Sequence, residues 1–170
     1  MGKKELIVII VIAVIIAGGG LILALNQPET PAGQGQLGAE YAIQGAEHID
    51  VGTDHIVYNS NPPTSGPHYV DPAALGFYAE TLLDEQLIHN LEHGQIWISY
   101  KDADDSVLAE LRKIQSQNPG SVVVTKREAN DAPIAVASWG RLMALESLDL
   151  AAIDQFIKAN KNKSPEPLAR

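Results

Sequence analysis

The 170-residue chain contains no cysteine. That excludes disulfides, thiolate metal sites and cysteine nucleophiles together. Methionine is nearly as scarce: beyond residue 25 only Met143 occurs, which argues against a methionine-rich copper(I) site. Basic residues are few as well. Beyond Glu5 the chain carries 10 Lys and Arg against 20 Asp and Glu, a net of −10. Such a surface disfavours nucleic acid and anionic lipid headgroups as partners and mildly favours cations. No G-x-S-x-G elbow exists, and Ser65, within Thr-Ser-Gly-Pro-His, reads as a turn serine rather than a nucleophile.

One long apolar run is present. Leu6 to Leu25 carries no charge, and twenty helical residues at about 1.5 Å each span roughly 30 Å, the thickness of a bilayer's hydrocarbon core. Lys3 and Lys4 precede it, and no further Lys or Arg occurs until Lys101. The positive-inside rule then keeps the N-terminus cytoplasmic and places the rest outside the cell membrane as a single-pass protein. The run is longer than a cleavable signal's apolar region, and Leu23-Ala24-Leu25 is a poor cleavage site. The expected layout is therefore a tip and signal anchor over residues 1–25, touching lipid through residues 6–25. A Pro/Gly/Gln linker over 26–38, an extracytoplasmic domain over 39–162 and a frayed tail over 163–170 complete it.

Within the domain, His55 to Tyr58 reads as a short strand. Pro62-Pro63-Thr64-Ser65-Gly66-Pro67 is a stiff turn that presents His68. Leu83, Leu87, Ile88 and Leu91 share one arc of a helix at about Leu82 to His93, with Thr81 and Asp84 as a capping box and Gly94 as its stop. Glu85, His89, Glu92 and His93 lie opposite. Gln95–Tyr100 alternates as a strand with Ile96 and Ile98 inward. Asp104 to Gln117 is an amphipathic helix, Val122–Val124 and Ile134–Trp139 are strands, and Leu150 to Lys158 is the last helix. Consecutive strands near the end favour an α+β fold: a small, mostly antiparallel sheet of about four strands with about three packed helices, after the N-terminal transmembrane helix.

All five histidines fall between His48 and His93. His89 and His93 are four apart, so a helix sets them on one face about 5–6 Å apart, the spacing by which a helix gives two imidazoles to one metal. His68 is a third candidate ligand, with His48 or His55 as a fourth. Glu85 or Glu92 is placed to ligate or to orient a ring. Histidine-rich, thiolate-free sets suit copper(II), zinc, nickel or iron(II). His89-Asn90-Leu91-Glu92-His93 also matches the H-x-x-E-H pattern of inverted zinc peptidases, with Glu92 as general base and Glu110 or Glu146 as the missing third ligand. A non-catalytic interaction module with purely structural histidines is the third reading. Trp97 and Trp139 read as core aromatics, and Arg141 as a surface arginine or the partner of a carboxylate.

Tyr58, the Pro62–His68 stretch, Gly76-Phe77-Tyr78, Glu85 to Gly94 and Trp139-Gly140-Arg141 together resemble the bacterial Domain of Unknown Function 3105 family, over about His48 to Phe156. His68, His89, His93 and His48 match its pattern, whereas His55 does not and ranks last among candidate ligands. The resemblance implies a single-pass or secreted protein and supplies no activity. The expectation is a membrane-anchored domain binding copper or zinc through His68, His89, His93, His48 and Glu92.

Overall fold

Three runs rich in β-branched residues make the centre of the fold: Ile96–Tyr100 (β5), Val122–Lys126 (β6) and Ile134–Ser138 (β7). β-branched side chains pack well on a pleated surface, and here both faces of the sheet are covered. The structure is a computed structural model and describes residues 37–170. The expected anchor, and the linker up to residue 36, lie outside those residues. Among the described residues no helix is long and apolar enough to cross a membrane.

Among the described residues there are three helices: α1 (Asp84–Glu92), α2 (Asp105–Gln117) and α3 (Leu150–Asn160). Short strands complete the sheets: β1 (Ala39–Glu40), β2 (His48–Ile49), β3 (His68–Tyr69), β4 (Phe77–Tyr78) and β8 (Arg141–Leu145). Six strands form one mixed sheet in the order β1-β8-β7-β5-β6-β4. β5 and β6 run parallel, with α2 as the crossover, and β4 lies parallel to β6 on the far edge. β7, β8 and β1 add antiparallel neighbours on the other side. The fold is thus α+β with three helices, but the sheet is larger and more mixed than the four-strand, mostly antiparallel arrangement expected. Two-residue strands such as β1 and β4 are too short to show a period, and the parallel pair required a crossover that the alternation of strands does not announce.

Alternate residues of the central strands feed two cores. Ile96, Ile98, Tyr100, Val122, Val124, Ile134 and Val136 pack with Leu111 of α2 and with Ile153, Phe156 and Ile157 of α3. On the opposite face Trp97, Val123, Ala135 and Ala137 pack with Leu87, Ile88 and Leu91 of α1. A Leu or Ile wholly withdrawn from water contributes about 1.5–3 kcal/mol, so α1 is held firmly by its three core residues. α1 is the element that matters for the site.

Several local expectations are corrected. His55–Tyr58 is not a strand; the Tyr58 hydroxyl instead donates to the Pro67 carbonyl at 2.6 Å and braces the turn. α1 begins at Asp84 with Leu83 as an N-cap that makes no side-chain bond, so Leu83 is exposed rather than in the core and Thr81 caps nothing. Asp84 is otherwise engaged: Arg127 grips its carboxylate with two bonds of 2.8 and 2.7 Å and reaches Asn61 at 2.6 Å. The tail is pinned rather than frayed. Glu166 N donates to Glu92 O, Leu168 N to His93 O and Arg170 N to Gly120 O, at 3.1, 2.9 and 3.0 Å. The first two satisfy carbonyls at the end of α1 that no intrahelical donor can reach. Arg141 pairs with Glu40 of β1 at 2.9 Å.

Candidate metal centre

The Pro62–His68 turn is buried along its whole length. Its shape is fixed by the chain on either side. Gly66 N donates to Gly45 O and His68 N to Glu47 O at 3.0 and 2.9 Å, and Ser65 Oγ accepts from Gln44 N at 3.0 Å. Gly66 has φ +123°, and a Cβ there would stand 2.9 Å from the Tyr58 ring, so only glycine fits. The turn therefore lays β3 beside β2 as a parallel pair, with His48 opposite His68.

That pair covers the side of α1 expected to face water. His89 and Glu92 are 5% and 4% exposed, and His68 is fully buried. The residues of the His89–Gly94 stretch divide between the site and the fold. His89 and Glu92 face the β2–β3 pair. Asn90 binds both the amide and the carbonyl of Ala73, and Leu91 enters the core. Gly94, at φ +76°, makes a close approach to Asn162 that a Cβ would block at 2.7 Å.

One ligand atom from each of His48, His68, His89 and Glu92 lies within 4.8 Å of every other, a group able to hold a metal ion. The three rings form a near-equilateral triangle, with centroids 4.9, 4.9 and 5.0 Å apart. Glu92 Oε2 sits 3.0 Å from His68 Nε2 and 3.7 Å from His48 Nε2. Tetrahedral zinc, with bonds of about 2.0–2.1 Å, separates its ligand atoms by roughly 3.3 Å. The group needs a contraction of about 1.5 Å at its widest to reach that geometry.

The second ring nitrogens decide the tautomers. His68 Nδ1 lies 2.9 Å from Gly66 O, and His89 Nδ1 lies 2.7 Å from Tyr69 O. A carbonyl only accepts, so both Nδ1 atoms donate, and each neutral ring then has its lone pair on Nε2. Metal-bound histidines are held in this way, by a backbone carbonyl on the far nitrogen. In a neutral His68 that lone pair confronts a carboxylate oxygen at 3.0 Å, and two acceptors at this distance need a proton or a cation between them. Burial pushes the His89 ring below the usual histidine range. The Tyr69 carbonyl opposes that shift, and the His93, His68 and His48 rings reinforce it. The outcome is a neutral ring fit to ligate.

The remaining candidates are placed elsewhere. His93 Nε2 is 3.1 Å from His89 Nε2 and 3.6 Å from Glu166 Oε2, beside the group rather than within it. His55 binds Ile56 O and Glu85, at 2.8 and 3.1 Å. Glu110 lies along the groove between α2 and α3 and Glu146 is exposed after β8, so neither completes a peptidase site. Sequence reasoning misses the Gly66 and Tyr69 carbonyls, which carry no side-chain signal, and Glu166, which lies in the tail expected to fray. It also misses the contact of Trp139 with the group, where the indole stands edge-on to His68 with centroids 6.4 Å apart.

The family model described as "Protein of unknown function (DUF3105)" matches residues 48–170. No curated protein and no solved structure matches the chain.

Proposed function

The chain belongs to that family, and we propose that it is an extracytoplasmic binding protein for a divalent transition ion, zinc or copper(II). His48, His68, His89 and Glu92 hold the ion, and residues 6–25 tether the domain to the cell membrane. The observation that carries the reading is the pairing of His68 and His89 Nδ1 with backbone carbonyls. That pairing leaves each ring a lone pair on Nε2, and the His68 Nε2 faces the buried Glu92 carboxylate at 3.0 Å. Three imidazoles and one carboxylate form a borderline donor set suited to zinc, copper(II) or a similar ion. The uncharged Leu6–Leu25 run behind Lys3 and Lys4 supports the tether.

The test is the metal content of the detergent-solubilised full chain, purified without a histidine tag and measured by elemental mass spectrometry. One ion per chain is expected, falling to background in His68→Ala and His89→Ala. A binding ion also raises Tm with concentration. If zinc and copper(II) both leave Tm unmoved, the four side chains are a structural cluster and the reading fails. A C-terminal enzyme reporter active only outside the cytoplasm tests the topology, and activity confined to the cytoplasm overturns it.

A further inference from the structure

His89 Nε2 has two claimants. Because His89 Nδ1 donates to Tyr69 O, its Nε2 offers a lone pair. His89 is one of the four residues of the ligand group, and with Nδ1 engaged Nε2 is the nitrogen it has left for a metal, yet His93 Nε2 lies 3.1 Å from it. Two bare lone pairs repel at this distance, so a neutral His93 carries its proton on Nε2 and donates it to His89. One sp² nitrogen cannot accept that hydrogen bond and bind a metal at once.

Resting on the metal-site reading above, we propose that His93 is not a ligand but a latch on the centre. Metal binding must break its hydrogen bond to His89, and the freed N–H turns to Glu166 of the C-terminal tail. The receiver is already in place. Glu166 Oε2 is 3.6 Å from His93 Nε2, beyond a good hydrogen bond but within a small ring rotation of one. The tail also reaches α1 through its backbone, with Glu166 N on Glu92 O and Leu168 N on His93 O. Asn162 clasps Ala169 by both its amide and its carbonyl, at 2.9 and 2.8 Å. Filling the centre therefore adds a side-chain bond to a tail held so far by its main chain, and metal loading is transmitted to residues 166–170. A partner that reads this segment senses whether the ion is bound.

The sign of one substitution separates latch from ligand. His93→Phe keeps a ring against His89, where the two stand 4.4 Å apart by centroid, and removes the competing N–H. A hydrogen bond of net worth about 0.5–1.5 kcal/mol corresponds to a change of roughly 2- to 13-fold in affinity. Zinc titrated into the full-length protein against a chelating dye should bind several-fold more tightly to His93→Phe than to wild type. His93→Ala should shift the same way, which guards against a misfit of the phenyl ring. Weaker or unchanged zinc affinity in both variants overturns the latch and leaves the metal-site reading standing. Failure of the wild type itself to bind zinc or copper(II) removes that reading instead. Hydrogen exchange at Leu168 supplies the second readout: zinc should slow it in wild type and not in Glu166→Gln, and equal slowing in both proteins overturns the link to the tail.

Discussion

His48 and His68 face each other across a ladder only two residues long, with Ile49 opposite Tyr69 as the second rung. One rung joins two of the imidazoles of the site, and the other carries the Tyr69 carbonyl that orients the third. A parallel pair this short has little stability of its own. It persists because the buried Pro62–His68 turn is fastened on both sides.

The two rung partners should respond differently to removal. His48 has a side chain 44% exposed, and His48→Ala should change stability by no more than about 0.5–1 kcal/mol. His68→Ala empties a fully buried position and leaves the Gly66 carbonyl without its 2.9 Å donor, and should cost about 3 kcal/mol or more. Urea unfolding with chelator present measures both. Metal binding should fall in each variant.

Glu92→Gln separates the metal from the fold. The amide can donate to the His68 Nε2 lone pair that the carboxylate only confronts, so with chelator present the variant should be at least as stable as wild type at pH 8. Its zinc affinity should drop by tenfold or more, since a charged ligand is lost. Thermal melts with zinc and with chelator give both quantities. A chelated Glu92→Gln protein that melts well below wild type shows that the charge serves the fold.

Acid should weaken the chelated protein through His89. Its folded pKa lies below 6.5, so between the two values the unfolded chain binds more protons than the folded one. That stability is present above pH 6.5 and is lost as the pH falls through the interval below it. His55 acts in the opposite sense: the Ile56 carbonyl raises its pKa chiefly, with Glu85 assisting against some desolvation. Its contribution is present below 6.5 and fades as the pH rises through its folded value. Urea midpoints from pH 5 to 7.5 in His55→Ala should isolate the His89 slope, and stability that rises on acidification over this range contradicts the assignment.

Deleting residues 163–170 should destabilise the domain. Three backbone bonds to the ends of α1 and α2, and the Asn162 clasp of Ala169, disappear. At about 0.5–1.5 kcal/mol each, these five bonds amount to roughly 2.5–7.5 kcal/mol. A truncated protein with the urea midpoint of the full chain shows the tail to be passive.

The sequence carried this site unevenly, for physical reasons. His68, His89 and Glu92 were legible because a proline-stiffened turn and a helical i, i+3 spacing fix a side chain's direction locally. His93 lies beside the four-residue group, a placement the sequence does not give because helical spacing shows that two rings are neighbours but not which nitrogen each turns to the other. The side of α1 taken as solvent-facing is buried because a segment twenty to forty residues upstream folds over it, which periodicity within the helix cannot report. The parallel β5–β6 pair and the fastened tail depend on contacts remote in sequence, such as Asn162 N with Gly94 O and Arg170 N with Gly120 O. Where the chain obeys one period, as in α2 with Asp104 capping Val107 N, sequence and structure agree nearly to the residue.

The edge-on stand of Trp139 against His68 gives the protein an optical gauge of its own. Copper(II) is a paramagnetic quencher, so an ion seated among these rings should dim indole fluorescence at short range, whereas zinc, with a closed shell, should not. The indole edge-on to His68 would thus tell copper(II) from zinc in a titration of either ion, with no dye or label added.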